Sequence, residues 1–191
     1  MNVGLYFGSF NPIHIGHLAI ANFVTEYSTI DQLWFMVSPQ NPMKPQQSLL
    51  ADHHRFEMVY RAIEDFPDMK ASNFEFSLPK PSYTINTLTH LTEKYPQHSF
   101  VLIMGADNLE TFSKWKNYEL ILEQFSIIVY PRPSFTGGEL SNHPKVNLIN
   151  APIMEISASF IRKAIKDGKD IKAFLPWKVW NYIDEMNFYR K

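Results

Sequence analysis

Short, continuously apolar runs alternate along the chain with longer stretches in which apolar residues recur every three or four positions. Phe100-Val101-Leu102-Ile103-Met104 and Ile127-Ile128-Val129-Tyr130 have no polar face, as parallel strands covered on both sides require. The pattern predicts strands over 2–8, 32–37, 69–76, 99–104, 125–130 and 145–149. Between them the helical period predicts helices over 16–27, 51–65, 83–94, 118–123, 158–167 and 176–186. Strand–helix alternation of this kind specifies an α/β fold, a doubly wound parallel sheet with helices on both faces. The C-terminal stretch reads as a small helical appendage beside the sheet. Its aromatic residues Trp177, Trp180, Tyr182 and Phe188 serve either packing or an interface. Proline and glycine punctuate two loops, Pro39 to Pro45 and Pro131 to Gly138. Ligands of such sheets sit beyond the carboxyl ends of the strands, where the strand order reverses.

Composition narrows the partners. A chain of 191 residues is expected to form one domain, 1–191, around a single substantial core. Hydrophobic residues at 45% and aromatic residues at 15% describe a folded protein. A formal net charge of -1 leaves no electrostatic footprint for nucleic acid, so an anionic ligand has to be held by a local cluster. The absence of cysteine excludes disulfides, thiolate chemistry and cysteine-ligated zinc, and fits a cytoplasmic protein. The N-terminal apolar run is too short for a signal peptide, and no stretch approaches a membrane span. A soluble cytoplasmic enzyme without a membrane partner is the expectation; its oligomeric state stays open.

The candidate chemistry begins where the first predicted strand meets the first helix: Gly8-Ser9-Phe10-Asn11-Pro12-Ile13-His14-Ile15-Gly16-His17. The turn has no Gly-x-Gly-x-x-Gly and no Gly-Lys-Ser/Thr, which excludes the dinucleotide fingerprint and the Walker loop. It offers a hydroxyl at Ser9, an amide at Asn11 and two imidazoles, His14 and His17, at a helix N-terminus suited to phosphate, or else histidines that cap the turn or are satisfied in the core. Gly16 removes the side chain between the histidines. No third ligand follows at metal spacing, so a protein-held metal is not expected. Near the other end, Ile156-Ser157-Ala158-Ser159-Phe160-Ile161-Arg162 combines an N-cap candidate, Ser157, with a hydroxyl and a guanidinium three residues apart. Ser159, Arg162 and the free N–H groups of that helix make an anion site, or else an ordinary capped surface helix.

Together these two segments resemble the signatures of the nucleotidyltransferase superfamily with HxGH and ISSTxxR-type motifs. That resemblance implies a Rossmann-like sheet and transfer of a nucleotide to a phosphate with release of pyrophosphate. Family members usually carry Thr and Asp where this chain has Ser9 and Asn11, and Ser-Ser-Thr where it has Ser157-Ala158-Ser159. Three further segments resemble the bacterial nicotinate mononucleotide adenylyltransferases. They are Ser82-Tyr83-Thr84-Ile85-Asn86-Thr87-Leu88, Gly105-Ala106-Asp107 with Phe112 and Trp115, and Asn41-Pro42-Met43-Lys44-Pro45 with Arg55 and Met58.

The resemblance implies the substrates ATP and nicotinate mononucleotide. It implies ATP contacts from Gly8, Ser9, Phe10, His14, His17, Gly105, Asp107, Ser157, Ser159 and Arg162. It implies mononucleotide contacts from Asn11, Lys44, Arg55, Tyr83, Thr84 and Trp115, with His14, His17, Lys44 and Arg162 assisting catalysis. On chemistry alone Trp115 supplies an aromatic face for a pyridine ring or fills the core, and Thr84 favours a carboxylate or only caps its helix. Arg55, on an amphipathic helix, reads equally as a surface cation. Arg132 is a further candidate near the nucleotide, whereas His53, His54, His90, His98 and His143 read as surface residues. Magnesium is expected to arrive with ATP, since the motifs hold no carboxylate cage and Mg²⁺ prefers phosphate oxygens and water. Two other readings remain: a phosphopantetheine adenylyltransferase, which shares both signatures, and a nucleotide-binding module without turnover.

Overall fold

The computed structural model describes residues 1–39 and 49–190. Among them six strands form one parallel sheet: β1 (Asn2–Gly8), β2 (Gln32–Val37), β3 (Met69–Ser72), β4 (Ser99–Gly105), β5 (Ser126–Tyr130) and β6 (Val146–Leu148). Their order, β3-β2-β1-β4-β5-β6, reverses direction between β1 and β4. This is the doubly wound Rossmann order, and it opens a crevice beyond the carboxyl ends of β1 and β4.

The alternation of side chains along the strands builds two cores. Tyr6, Leu33, Phe35 and Val37 face one side of the sheet, under α1 (Ile15–Tyr27), α2 (Asp52–Ile63), α6 (Ala158–Lys166) and α7 (Trp177–Glu185). Val3, Leu5, Trp34 and Met36 face the other, under α3 (Thr84–Lys94), α4 (Ala106–Glu110) and α5 (Tyr118–Gln124). The central strands are apolar on both faces because both faces are covered.

Every expected helix is present with its ends within two residues. The short α4 and several 3₁₀ turns lay below the resolution of the periodicity argument. One strand ends early: β3 stops at Ser72 instead of running to 76, and a 3₁₀ turn occupies Phe74–Ser77. Ser72 Oγ accepts the Phe74 amide at 3.3 Å, and the buried Glu75 takes the Thr87 hydroxyl at 2.6 Å, which draws the chain off the sheet. The appendage docks through α7 onto α2. Tyr182 joins it there, its hydroxyl 2.9 Å from His54 Nδ1 and its ring 4.3 Å below the Arg61 guanidinium. His54 is therefore a half-buried packing residue, not a surface one, and so is His98, stacked on Tyr95. Trp180, Tyr182 and Phe188 pack on the core, whereas Trp177 stays 66% exposed. Among the described residues no helix is long and apolar enough to cross a membrane.

Candidate active site

The crevice at the sheet's reversal point is a cleft of about 420 Å³. β1 leads into it through Gly8, Ser9, Phe10 and Asn11, and α1 contributes His14, Gly16 and His17. Asp107 enters from the first turn of α4, Tyr130 and Arg132 from the end of β5, and Ser157, Ser159 and Arg162 from the start of α6. The two segments singled out in the sequence thus share one cavity. Arg162 joins them directly: its Nη1 donates to the Asn11 carbonyl at 2.8 Å and its Nη2 to Ser159 Oγ at 3.3 Å. Ser157 caps α6 as expected, its hydroxyl accepting the Phe160 amide at 3.2 Å.

His14 and His17 stack with ring centroids 3.7 Å apart. A Cβ on Gly16 would stand 3.1 Å from His14 Nδ1, so this position has to be bare for the rings to sit as they do. The His14 amide donates to His17 Nδ1 at 3.2 Å, which leaves the proton of the neutral His17 ring on Nε2 and makes that nitrogen a donor. His14 is 4% exposed, and its Nδ1 is buried without a hydrogen-bond partner. Burial, reinforced by the Arg132 guanidinium, pushes its pKa down to about 4.

A consequence in pH follows from that depression. The unfolded chain protonates His14 near the ordinary 6.5 and the folded protein only near 4, so between these values the unfolded state binds more protons. The stability that the neutral ring confers is complete above this window and is lost as pH falls through it. Between about pH 7 and about pH 4.5, wild type is expected to lose ~1–3 kcal/mol more stability than His14→Gln, as read by urea unfolding. Parallel pH profiles for the two proteins would show that His14 is not buried and neutral.

Across the cleft, Asp107 Oδ1 lies 3.6 Å from Arg132 Nε in a long ion pair. Gly105 permits it, since a Cβ there would clash with Asp107 Oδ1 and stand 2.9 Å from Arg132 Cγ. Tyr6 and Tyr130, which the sequence marks only as strand residues, contribute hydroxyls 3.3 Å apart, each phenol raised by burial. Both read as ordinary core positions in apolar strands, so only their place at the strand ends marks them.

The remaining expected residues divide. Tyr83, Thr84 and Trp115 lie apart from the cleft lining, along the second core. Trp115 is half-buried against Phe112 at 5.1 Å, and Lys116 Nζ sits 4.5 Å over the Tyr83 ring. Tyr83, not Thr84, is the N-cap of α3, and no side chain caps that helix. Lys44 and the Asn41–Pro45 segment lie outside the described residues.

Arg55 belongs to the framework of the protein. It is neither a surface cation nor a residue whose guanidinium reaches into the cleft, because its side chain is fully buried. Nε donates to Leu50 O at 3.0 Å, and Nη1 to Ser9 O and Ser38 O at 2.6 and 2.8 Å. Nη2 donates to Pro39 O and Asp52 Oδ1 at 3.3 and 2.7 Å. All five N–H groups are consumed inside the protein, so none remains for a ligand.

A parallel sheet in this order, with an imidazole pair and a guanidinium converging on one crevice, defines the chain as a nucleotidyltransferase. Residues 5–164 match the model of the cytidylyltransferase-like family. A protein of Flavobacterium johnsoniae named "Probable nicotinate-nucleotide adenylyltransferase" is 56% identical over the whole of both chains. One of the same name from Bacteroides thetaiotaomicron is 46% identical, over 97% of this chain and 92% of its own. Among solved structures, Plasmodium falciparum nicotinic acid mononucleotide adenylyltransferase complexed with NaAD superposes with a TM-score of 0.83 at 26% identity, covering 98% of this chain and 97% of the other. The same enzyme complexed with APC gives 0.82. The chain belongs to the cytidylyltransferase-like family and, within it, to the nicotinate-nucleotide adenylyltransferases.

Proposed function

We propose that this protein transfers AMP from ATP to nicotinate mononucleotide, forming nicotinate adenine dinucleotide and pyrophosphate. The observation that carries the reading is the Arg162–Asn11 bond, which closes the second motif onto the first around the stacked histidines. The acceptor is the one the relatives are named for, and the Plasmodium falciparum enzyme that superposes on this chain is complexed with NaAD in one structure and with APC in another.

The reaction needs no general base. The mononucleotide phosphate loses its second proton at about pH 6, so it is an anionic nucleophile at neutral pH. Its oxygen attacks the α-phosphorus of ATP, the bond from that phosphorus to the β-bridging oxygen breaks, and pyrophosphate leaves with the electron pair. What the protein has to supply is alignment of two anions and donors for the charge that develops. His17 Nε2–H serves as one donor at the α-phosphoryl group. The His14 ring stacks on that of His17, and its buried, unpartnered Nδ1 can serve a phosphoryl oxygen only in a form that carries the proton on Nδ1, because such oxygens only accept. Arg162, Ser159 and the first-turn N–H groups of α6 receive the departing β- and γ-phosphates. The Asp107 carboxylate accepts from ribose hydroxyls. Magnesium is taken as part of the ATP substrate, held by phosphate oxygens and water. Among the described residues no three His, Asp or Glu side chains converge as a cage. The reading keeps the enzyme in the cytoplasm, where both substrates are soluble anions.

The acceptor's pyridine ring is assigned to Trp115, with its carboxylate at the α3 N-terminus by Tyr83 and Thr84. Lys116, over the Tyr83 ring, adds a positive charge there that the sequence argument missed. Nicotinate mononucleotide is therefore expected to be used at least about tenfold better than the nicotinamide form, equivalent to ~1.4 kcal/mol. Pyrophosphate release with ATP and a panel of both mononucleotides and phosphopantetheine tests the whole reading. Equal use of the acid and the amide would remove the acid preference. Release with phosphopantetheine alone, or with no acceptor, would overturn the function.

A further inference from the structure

The end of the chain turns back onto the catalytic turn. Beyond α7 both Asn187 and Tyr189 adopt left-handed backbone, with φ of 53° and 62°, and the Phe188 amide closes on the Ile183 carbonyl at 3.0 Å. Phe188 sets its ring against His54 and Tyr182, with centroids 4.8 and 5.7 Å away. These contacts deliver Tyr189 to Asn11, 178 positions earlier, where its hydroxyl donates to Oδ1 at 2.7 Å. The Leu50 amide reaches the same oxygen at 3.4 Å, while the Asn11 backbone carbonyl carries Arg162. Asn11 lines the cleft beside His14 and Arg162 and is itself buried.

An asparagine amide presents an acceptor at one end and donors at the other, and a half-turn of one torsion exchanges them. A carboxylate at this position would be symmetric and indifferent to that rotation. With asparagine, something has to select the orientation: the Leu50 N–H, which can only donate, turns Oδ1 toward it, and the Tyr189 hydroxyl donating to that same oxygen holds it there. We propose that Tyr189 is a positioning residue of the active site, its hydroxyl locking the Asn11 amide in one orientation and completing the catalytic turn from the C-terminus. Burial pushes the Tyr189 phenol upward, against the lowering influence of Arg162 and Arg55, so it remains a donor across the working pH range. The proposal rests on the adenylyl-transfer reading and adds to it the residue that orients the turn.

Tyr189→Phe removes the hydroxyl alone. It is expected to lower kcat with ATP and nicotinate mononucleotide roughly tenfold, with both KM values changing less than about twofold and Tm shifting by no more than a few degrees. Arg190→Ala is the control. It breaks the neighbouring ion pair with Asp184 without touching Asn11, and wild-type rates are expected. The side-chain amide resonances of Asn11, assigned by their loss in Asn11→Asp, are expected to shift or broaden in Tyr189→Phe and not in Arg190→Ala. Wild-type kcat in Tyr189→Phe, an equal deficit in Arg190→Ala, or an unmoved Asn11 amide would each overturn the lock. Failure of the wild type to release pyrophosphate would instead defeat the adenylyl-transfer reading, and the amide resonances would still decide the role of Tyr189.

Discussion

His17→Ala is expected to lower kcat by roughly 10²–10³, the loss associated with removing one preorganised donor from a developing oxyanion. The geometry explains why this single ring matters. His17 sits at the third position of α1, where its Nδ1 accepts the His14 amide at 3.2 Å, so Nε2 has to carry the proton. The donor is thus set before substrate arrives, and it keeps its proton without the ring being charged. The same bond is also a helix cap, so alanine costs about 1 kcal/mol of stability in addition. His17→Gln separates the two effects. Its amide can still reach the His14 N–H and restore Tm, but it places its own donors elsewhere, and kcat stays at least about tenfold below wild type. Single-turnover pyrophosphate release with saturating ATP reads the chemical step directly. Full activity in His17→Ala would remove the ring from the reaction, and full recovery in His17→Gln would reduce it to a cap.

The parts of this site that were legible in the sequence are those encoded in contiguous residues. Strand β1, the turn from Gly8 to His17 and the start of α1 follow from an apolar run, a glycine and a helical period. Their place at the reversal of strand order follows from the α/β alternation. The cap at Ser157 was legible for the same reason: the residue, the spacing and the following periodicity are local. The joining of the two motifs was not readable from spacing, because the Arg162–Asn11 bond spans 151 positions and depends on where α6 lands. Tyr189 was hidden more deeply. Two left-handed residues steer it, and neither Asn187 nor Tyr189 is a glycine that would have announced the turn. At β3 the local signal misled, since Phe74 and Phe76 alternate like a strand while side-chain bonds from Ser72 and Glu75 bend the chain away. Tertiary hydrogen bonds overrode a pattern that carries no information about them.

Arg55 shows the same override at its largest, and it carries the second large expected effect. Helical periodicity placed it beside Phe56 and Val59, which fits a half-exposed cation on an amphipathic face. The fold instead draws three loop ends around it: Ser9 after β1, Ser38 and Pro39 after β2, and Leu50 before α2. Those carbonyls have no helix or sheet to enter, so the guanidinium supplies the donors that secondary structure does not. Asp52, at 2.7 Å, balances the charge. Arg55→Met keeps the length but strands four carbonyls and a carboxylate. It is expected to cost ~3–5 kcal/mol in urea unfolding, as for a buried pair deprived of one partner. Arg55→Lys retains the charge but offers three donors from one point where five diverge, so it is expected to recover only part of that loss. Because the Ser9 carbonyl is one of the groups released, kcat should fall in step with stability across the two variants, with no selective rise in KM for the mononucleotide. Arg55→Met as stable as wild type, with only the mononucleotide KM raised, would return this arginine to the substrate and take it out of the framework.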